Sequence, residues 1–287
     1  MENIYTQDEL YEDFVRLGVM PGSALLLHSS LSSIGYVVGG AISVINALRR
    51  CLGSEGTLCV PTHTPELSDP ENWHNPLVPL KYWEKIREGI PLFDPQLILP
   101  VSVGIIPCTI LGYSGVRRSS HPIASIAALG RHANFITSDH SLHEPEGWSS
   151  PVGRLYELDG WILLLGVDNR RNTSLHLAES AADVPYIKMS AGKPNDRVKV
   201  QDSQGEIRFV RLTRSAQCSE GFIQAEPYLR RAGLITYGQV GDAPCQLMRQ
   251  RPVVDLFIQL LKDDPTLLLC DDANCRQCAT FHQQLES

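Results

Sequence analysis

The run NTSLHLAES, Asn172 to Ser180, sets His176 and Glu179 three residues apart. On a helix that spacing puts both side chains on one face. A neutral imidazole accepts a proton near neutral pH, and a carboxylate that bonds its other nitrogen fixes the useful tautomer. Glu179 can take that part. So can Asp168, at the end of the apolar run WILLLGVD just upstream. On these residues alone, His176 reads equally as a proton acceptor or as a satisfied core histidine. Three more segments carry polar side chains in useful company. LHSSLSSIGYVVGGA places His28, Ser29 and Ser30 at a strand end and Gly39 and Gly40 at a helix start. Unpaired N–H groups and a positive dipole end suit a phosphate there. The segment is neither a Walker loop nor Gly-x-Gly-x-x-Gly. VRRSSHP and SSPVGRL add Arg117, Arg118, Ser119, Ser150 and Arg154. Arginines beside hydroxyls suit phosphate recognition, or serve as ordinary surface charges and N-caps. Near the C-terminus, CDDANCRQCATFH brings together Cys270, Cys275, Cys278 and His282. That set suits a tetrahedral zinc, with unligated thiols as the competing reading.

Helical and extended patterns alternate along the chain, as in α/β proteins. TQDELYEDFVRLG reads as a helix with Thr6 as N-cap, a capping box to Glu9 and a stop at Gly18. SALLLHSS, GTLCVP, IASIAALG and WILLLGV read as buried strands. AISVINALRRCLG and LKYWEKIREG read as helices. Further helices are expected over about 220–232 and 245–261. VKVQDSQGEIRFVRL alternates around Ser203-Gln204-Gly205 as a β-hairpin does. The expectation is a single domain over residues 1–287. Its excursions are the loops of 62–107 and the hairpin, and a cysteine-rich tail covers 270–287.

The 287 residues are 43% hydrophobic and 20% charged, which describes a globular protein with ample core. No run approaches the roughly 18 apolar residues of a membrane span. The acidic, amphipathic N-terminus has no secretory pattern, so a cytoplasmic enzyme is expected. A net charge of −7 disfavours nucleic-acid binding and is compatible with a cationic substrate. Cys51, Cys59, Cys108, Cys218 and Cys245 read as buried free thiols.

Taken together, HSSLSSIGYVVGGAISVINAL, GTLCVPTHT, RRSSHPIASIAALG, SSPVGRLYELDGWILLLGVDNRRNTSLHLAES and the Val-Pro-Tyr at Val184 to Tyr186 resemble the aminoglycoside 3-N-acetyltransferase family. Their order and spacing fit over most of residues 10 to 235, and Ser150 to Glu179 is the most specific stretch. The resemblance implies the antibiotic N-acetyltransferase fold, a central mixed sheet flanked by helices, here with the added β-hairpin. It implies acetyl-coenzyme A as donor and an amine as acceptor, in resistance enzymes the 3-amino group of a 2-deoxystreptamine ring. By the same resemblance, His176 is the catalytic base, with Asp168 or Glu179 as its orienting acid. The turn His28, Ser29, Ser30, Leu31 and the pair Gly39–Gly40 would hold pantetheine and phosphate. Arg117, Ser119, Ser150, Val152, Arg154 and Thr173 would be further coenzyme contacts.

A polycationic acceptor needs carboxylates to replace its hydration. Glu66, Asp69 and Glu71 lie in the loop where members place acceptor-binding acids, and Trp73, Tyr82 and Trp83 could wall sugar rings. In LTRSAQCSEGF, Arg214 and Ser215 stand where a further acid is expected, which leaves open a different amine as acceptor. A metallohydrolase built on His28, His63, His74 or His121 with Asp69 is a remote alternative, because the usual close histidine spacings are missing. A non-catalytic coenzyme-binding protein is disfavoured by the Asp168–His176–Glu179 set.

Overall fold

The computed structural model describes residues 3–73, 77–190, 197–215, 218–272 and 275–285. In chain order the strands are β1 (Ile4–Tyr5), β2 (Ala24–Ser29), β3 (Tyr36–Val37), β4 (Thr57–Pro61), β5 (Arg117–Arg118), β6 (Ile126–Gly130), β7 (Trp161–Leu165), β8 (Arg197–Gln201), β9 (Ile207–Arg211), β10 (Thr236–Val240) and β11 (Ala243–Arg249). The helices are α1 (Gln7–Leu17), α2 (Ala41–Leu52), α3 (Trp83–Gly89), α4 (Ile105–Ile110), α5 (Ala133–Thr137), α6 (Pro151–Glu157), α7 (Ser174–Ala182), α8 (Pro185–Ser190), α9 (Ala225–Arg231), α10 (Gln250–Asp263) and α11 (Arg276–Leu285).

Seven strands form one mixed sheet in the order β10-β11-β7-β2-β4-β6-β5. The three central strands, β7, β2 and β4, run parallel, and the flanking pairs are antiparallel. Alternate residues feed opposite faces, the period of two that a strand imposes. Leu25, Leu27, Leu163 and Leu165 enter a core with α1, α2 and α4. Ala24, Leu26, Ile162 and Leu164 enter a second core with α6, α7, α9 and α10. Both faces are covered, which explains why the central strands are continuous apolar runs. The parallel strands end at Ser29, Pro61 and Leu165 on one edge of the sheet, where the chain must leave through polar residues. Thr6 and Glu9 form the expected capping box on α1, and Gly18 closes it in the left-handed region.

The structure departs from the sequence expectation in two elements. The helix expected over 245–261 is the strand β11 followed by α10. Cys245 and Leu247 bury at strand spacing before α10 begins at Gln250. Strand β7 ends at Leu165, so Asp168 lies beyond it and caps a 3₁₀ turn, Asn169–Arg171, by accepting the Arg170 N–H.

The hairpin β8–β9 is antiparallel, as its alternation indicates. It docks on the 62–107 excursion through a Ser68–Val198 bridge and through Lys199 Nζ, which donates to the carbonyls of Glu88 and Ile90 at 2.9 Å each. Asp69 ties the two together. It is buried and accepts from Arg87 and Arg197, each at 2.9 Å. Among the described residues, no helix is long and apolar enough to cross a membrane.

Candidate active site

A cavity of about 1220 Å³ opens at the edge where β2, β4 and β7 end. His28, Ser29, Ser30 and Leu31 enter it from β2, His63 follows β4, and Thr173 and His176 follow β7. The β2 turn is fastened to the β7 turn. The Ser30 N–H donates to Leu165 O at 2.9 Å, and the Ser33 hydroxyl donates to Gly166 O at 3.2 Å. Gly166 has φ 66, and a Cβ there would lie 2.5 Å from Ser33 Cβ. Gly166→Ala therefore combines left-handed strain with a clash, and about 1–3 kcal/mol of stability should be lost in chemical denaturation. Gly40 begins α2 at φ 59 with open space at its Cβ position, and it lines the cavity. Gly39 is turned away, against Ser43.

Asn172 explains the start of the motif. It is buried, its side-chain amide donates to Asn169 Oδ1 at 3.1 Å, and its carbonyl accepts the Ser174 N–H at 3.3 Å. That fixes the first turn of α7 and aims its exposed edge at the cavity. His176 Nδ1 and Glu179 Oε2 are 2.7 Å apart on one face of α7. Glu179 is buried, and its other oxygen accepts from the Tyr186 hydroxyl at 2.6 Å. Phe222 packs on the imidazole with ring centroids 4.6 Å apart. With Nδ1 engaged, Nε2 is the nitrogen left to take a proton. Burial opposes the charged imidazole, but the Glu179 hydrogen bond and charge, with a contribution from Glu146, outweigh it and raise the His176 pKa above 6.5.

The other cavity histidines are opposite in character. Burial pushes His28 down to about 3 and His63 to about 4, each reinforced by neighbouring positive charge. Both are neutral near pH 7 and are weak proton acceptors. His121 and His140 are held neutral by burial as well and serve the scaffold. His121 Nδ1 accepts the Ile123 and Ala124 N–H groups at 3.2 and 3.0 Å, and His140 contacts the Ser119 hydroxyl at 2.9 Å.

Several residues expected in the site make contacts within the scaffold. Asp168 does not reach His176. It is bound side-on by Arg170, with contacts of 3.1 and 2.6 Å. Ser119 is fully buried between His140 and the Ile126 N–H, which its oxygen accepts at 3.0 Å. Ser150 caps α6 by accepting the Gly153 N–H at 3.4 Å, and donates to Gly147 O at 2.6 Å. Val152 is core. Arg154 lies over the Phe135 ring and Arg117 bonds Asn134 at 2.8 Å. None of these five lines the cavity.

Asp69 is spent on Arg87 and Arg197, which also removes it from any histidine-centred metal site. Glu66 is half-buried with its pKa raised by burial, and it does not line the cavity. Trp73 donates to Ser68 Oγ at 3.1 Å and Trp83 to Val78 O at 2.9 Å, so both brace the excursion. His74 lies outside the described residues. Arg214 does not confront the acceptor with an unpaired charge. It bonds Glu144 and Asp183 at 2.7 Å each. Glu146, Arg170, Arg171 and Arg197 are charged cavity residues that the sequence left unassigned. For the two arginines of NRRNTS the signal was their place inside the motif itself.

At the C-terminus, Cys270, Cys275 and Cys278 do come together, but the fourth member is Cys218 and not His282. The nearest acid to His282 is Asp271, with Nε2 4.0 Å from its carboxylate. Cys218 is therefore not an isolated thiol.

Residues 26–262 match the family model described as aminoglycoside 3-N-acetyltransferase. The chain is similar to the SPbeta prophage-derived aminoglycoside N(3')-acetyltransferase-like protein YokD of Bacillus subtilis (strain 168), with 37% identity over 256 residues, 87% of this chain and 90% of that protein. A substituted form of aminoglycoside acetyltransferase AAC(3)-IVa, solved in complex with gentamicin, superposes with TM-score 0.83 at 33% identity, covering 99% of this chain and 98% of the other. AAC-IIIb in its binary complex with CoASH superposes with TM-score 0.72 at 26% identity, covering 91% and 97%. A mixed sheet with His176 and Glu179 at its edge, a match over most of the chain and these relatives lead to one conclusion: the chain belongs to the aminoglycoside 3-N-acetyltransferase family.

Proposed function

We propose that the protein transfers the acetyl group of acetyl-coenzyme A to the 3-amino group of a 2-deoxystreptamine aminoglycoside, with His176 as general base. The observation that carries this reading is the 2.7 Å His176–Glu179 pair on the wall of the cavity. The aminoglycoside-bound and CoASH-bound structural neighbours support the two substrates.

An ammonium has no lone pair, so the acceptor must lose a proton before it attacks. His176 Nε2 takes that proton, directly or through one water. The amine nitrogen then bonds the thioester carbonyl carbon, and the carbonyl electrons move to oxygen. The nitrogen then gives up its second proton to solvent, so that collapse of the oxyanion breaks the carbon–sulfur bond and yields a neutral amide, while the imidazolium returns the first proton to the departing thiolate. Oxyanion donors come from the hydroxyls around Ser29, Ser30 and Thr173, since the Ser30 N–H is already committed to Leu165. The open start of α2 at Gly40, with Arg170 and Arg171 on the same cavity, suits the anionic end of the coenzyme. Glu146 is the one acid among the described residues that line the cavity, and it suits a cationic ring. Ser29 or Ser30 as an acyl carrier is disfavoured, because no nucleophile elbow is present.

The test is to incubate the protein with acetyl-coenzyme A and a panel of aminoglycosides, following thiol release and locating the acetylated nitrogen by NMR. Turnover with 3-N products is expected; release only with other amines would remove the substrate assignment. The pH profile tests the base. Neutral imidazole is the active form, so activity should rise with pH through an apparent pKa above 6.5, in the direction of the His176 shift. Glu179→Gln removes the charge that favours imidazolium while burial still opposes it. The rising limb should move to lower pH and kcat should fall. An unmoved limb would assign the titration to another group.

A further inference from the structure

Cys218 stands just before the turn that presents Phe222 to His176, whereas Cys270, Cys275 and Cys278 lie beside and on α11. The four sulfurs all lie within 4.8 Å of one another. Cys218 Sγ is 3.7 Å from Cys270 Sγ and 3.7 Å from Cys275 Sγ. A disulfide needs about 2.05 Å. Four sulfurs around zinc, each at about 2.3 Å, sit about 3.8 Å apart along the edges of the tetrahedron. The observed separations fit the second geometry. Backbone N–H groups supply the outer layer that such centres use: Glu220 donates to Cys218, Asp272 to Cys270 and Cys270 to Cys278. Cys270 and Cys278 are buried, and Cys218 and Cys275 are half-buried on the cavity wall.

We propose that Cys218, Cys270, Cys275 and Cys278 bind one zinc ion in a closed tetrathiolate site, and that this centre positions the catalytic pair. Four protein ligands leave no open coordination position, so the metal is structural. It crosslinks two segments that each touch the pair. Through Cys218 it holds the Phe222 turn against the His176 ring. Through α11 it holds Phe281, which stacks on Tyr186 with centroids 5.3 Å apart, and the Tyr186 hydroxyl donates to Glu179. The metal assignment stands on the sulfur geometry alone; the positioning role rests on His176 as the base.

Elemental analysis of protein purified without added metal is expected to give one zinc per chain. Cobalt exchange should give the visible and near-ultraviolet bands of a tetrahedral tetrathiolate. Cys218→Ser should abolish stoichiometric zinc, and His282→Ala should keep it. Metal-free protein with free thiols or disulfides would overturn the site, as would iron in place of zinc, or zinc kept by Cys218→Ser and lost by His282→Ala. Should Cys218→Ser fail to fold, the stoichiometry and cobalt spectrum of the unaltered chain decide the metal by themselves. For positioning, Phe222→Leu should keep zinc, move the limb of the pH profile and lower kcat more than it changes the KM for acetyl-coenzyme A. An unchanged profile and kcat in that variant would remove the positioning role and leave the metal site standing.

Discussion

His176→Ala is expected to lower kcat by about 10²- to 10⁴-fold, the usual contribution of a positioned general base, which is about 3–5 kcal/mol of barrier. Acetyl-coenzyme A binding should persist, because the Gly40 helix start and the β2 turn do not depend on the imidazole. Two other imidazoles line the same cavity, and the size of the loss decides whether either replaces His176. With pKa values of about 3 and about 4, His28 and His63 are poor acceptors for an ammonium proton. Residual turnover should therefore lack the rising limb above 6.5. Steady-state kinetics across pH, with coenzyme affinity by calorimetry, make the comparison. Turnover close to the unaltered enzyme, with the limb intact, would return His176 to the role of a packed histidine under Phe222.

The two alternatives for His176 in the sequence differ only in what surrounds it, and that environment is assembled from distant segments. Phe222 packs on the imidazole, Tyr186 bonds its partner Glu179, and the β2 turn lines the same cavity, each from a different part of the chain that no local spacing predicts. Glu179 was legible because it shares the helix. Asp168 was equally attractive in sequence, but a chain that turns through Asn169–Arg171 turns its carboxylate back onto Arg170. The central strands were legible for a plain reason: burial on both faces demands continuous apolar runs. β11 was missed because its run passes straight into α10 with no Gly or Pro between them. Ser150 shows the limit of arguing from residue type, since a serine that caps a helix, as it does for α6, and a serine that binds a phosphate are the same letter. The fourth cysteine was hidden by a separation of 52 residues from Cys270.

Asp69→Ala should destabilise the protein by about 3 kcal/mol, the lower end of the cost of breaking a buried ion pair. The aspartate side chain is fully buried, and its two partners, Arg87 and Arg197, have side chains 13% and 29% exposed. Partial exposure lets water recover some of the loss at the arginines, hence the lower end of the range. Burial alone would raise the carboxyl pKa, but the hydrogen bonds from Arg87 and Arg197 outweigh it and hold it below 3.8. A group whose folded pKa is depressed contributes stability that is present above its unfolded pKa and lost as pH falls through the folded value. The stability gap between the unaltered protein and Asp69→Ala should therefore be full at neutral pH and shrink below about 4. Urea denaturation at several pH values measures it. The same variant separates the two roles open to Asp69. As the clamp between the excursion and the hairpin, it governs stability, and kcat and the acceptor KM should change little at temperatures where the variant is folded. As an acceptor-binding acid, it would leave stability within the ordinary scatter of surface substitutions and raise the aminoglycoside KM by orders of magnitude. The buried geometry on two arginines favours the first outcome.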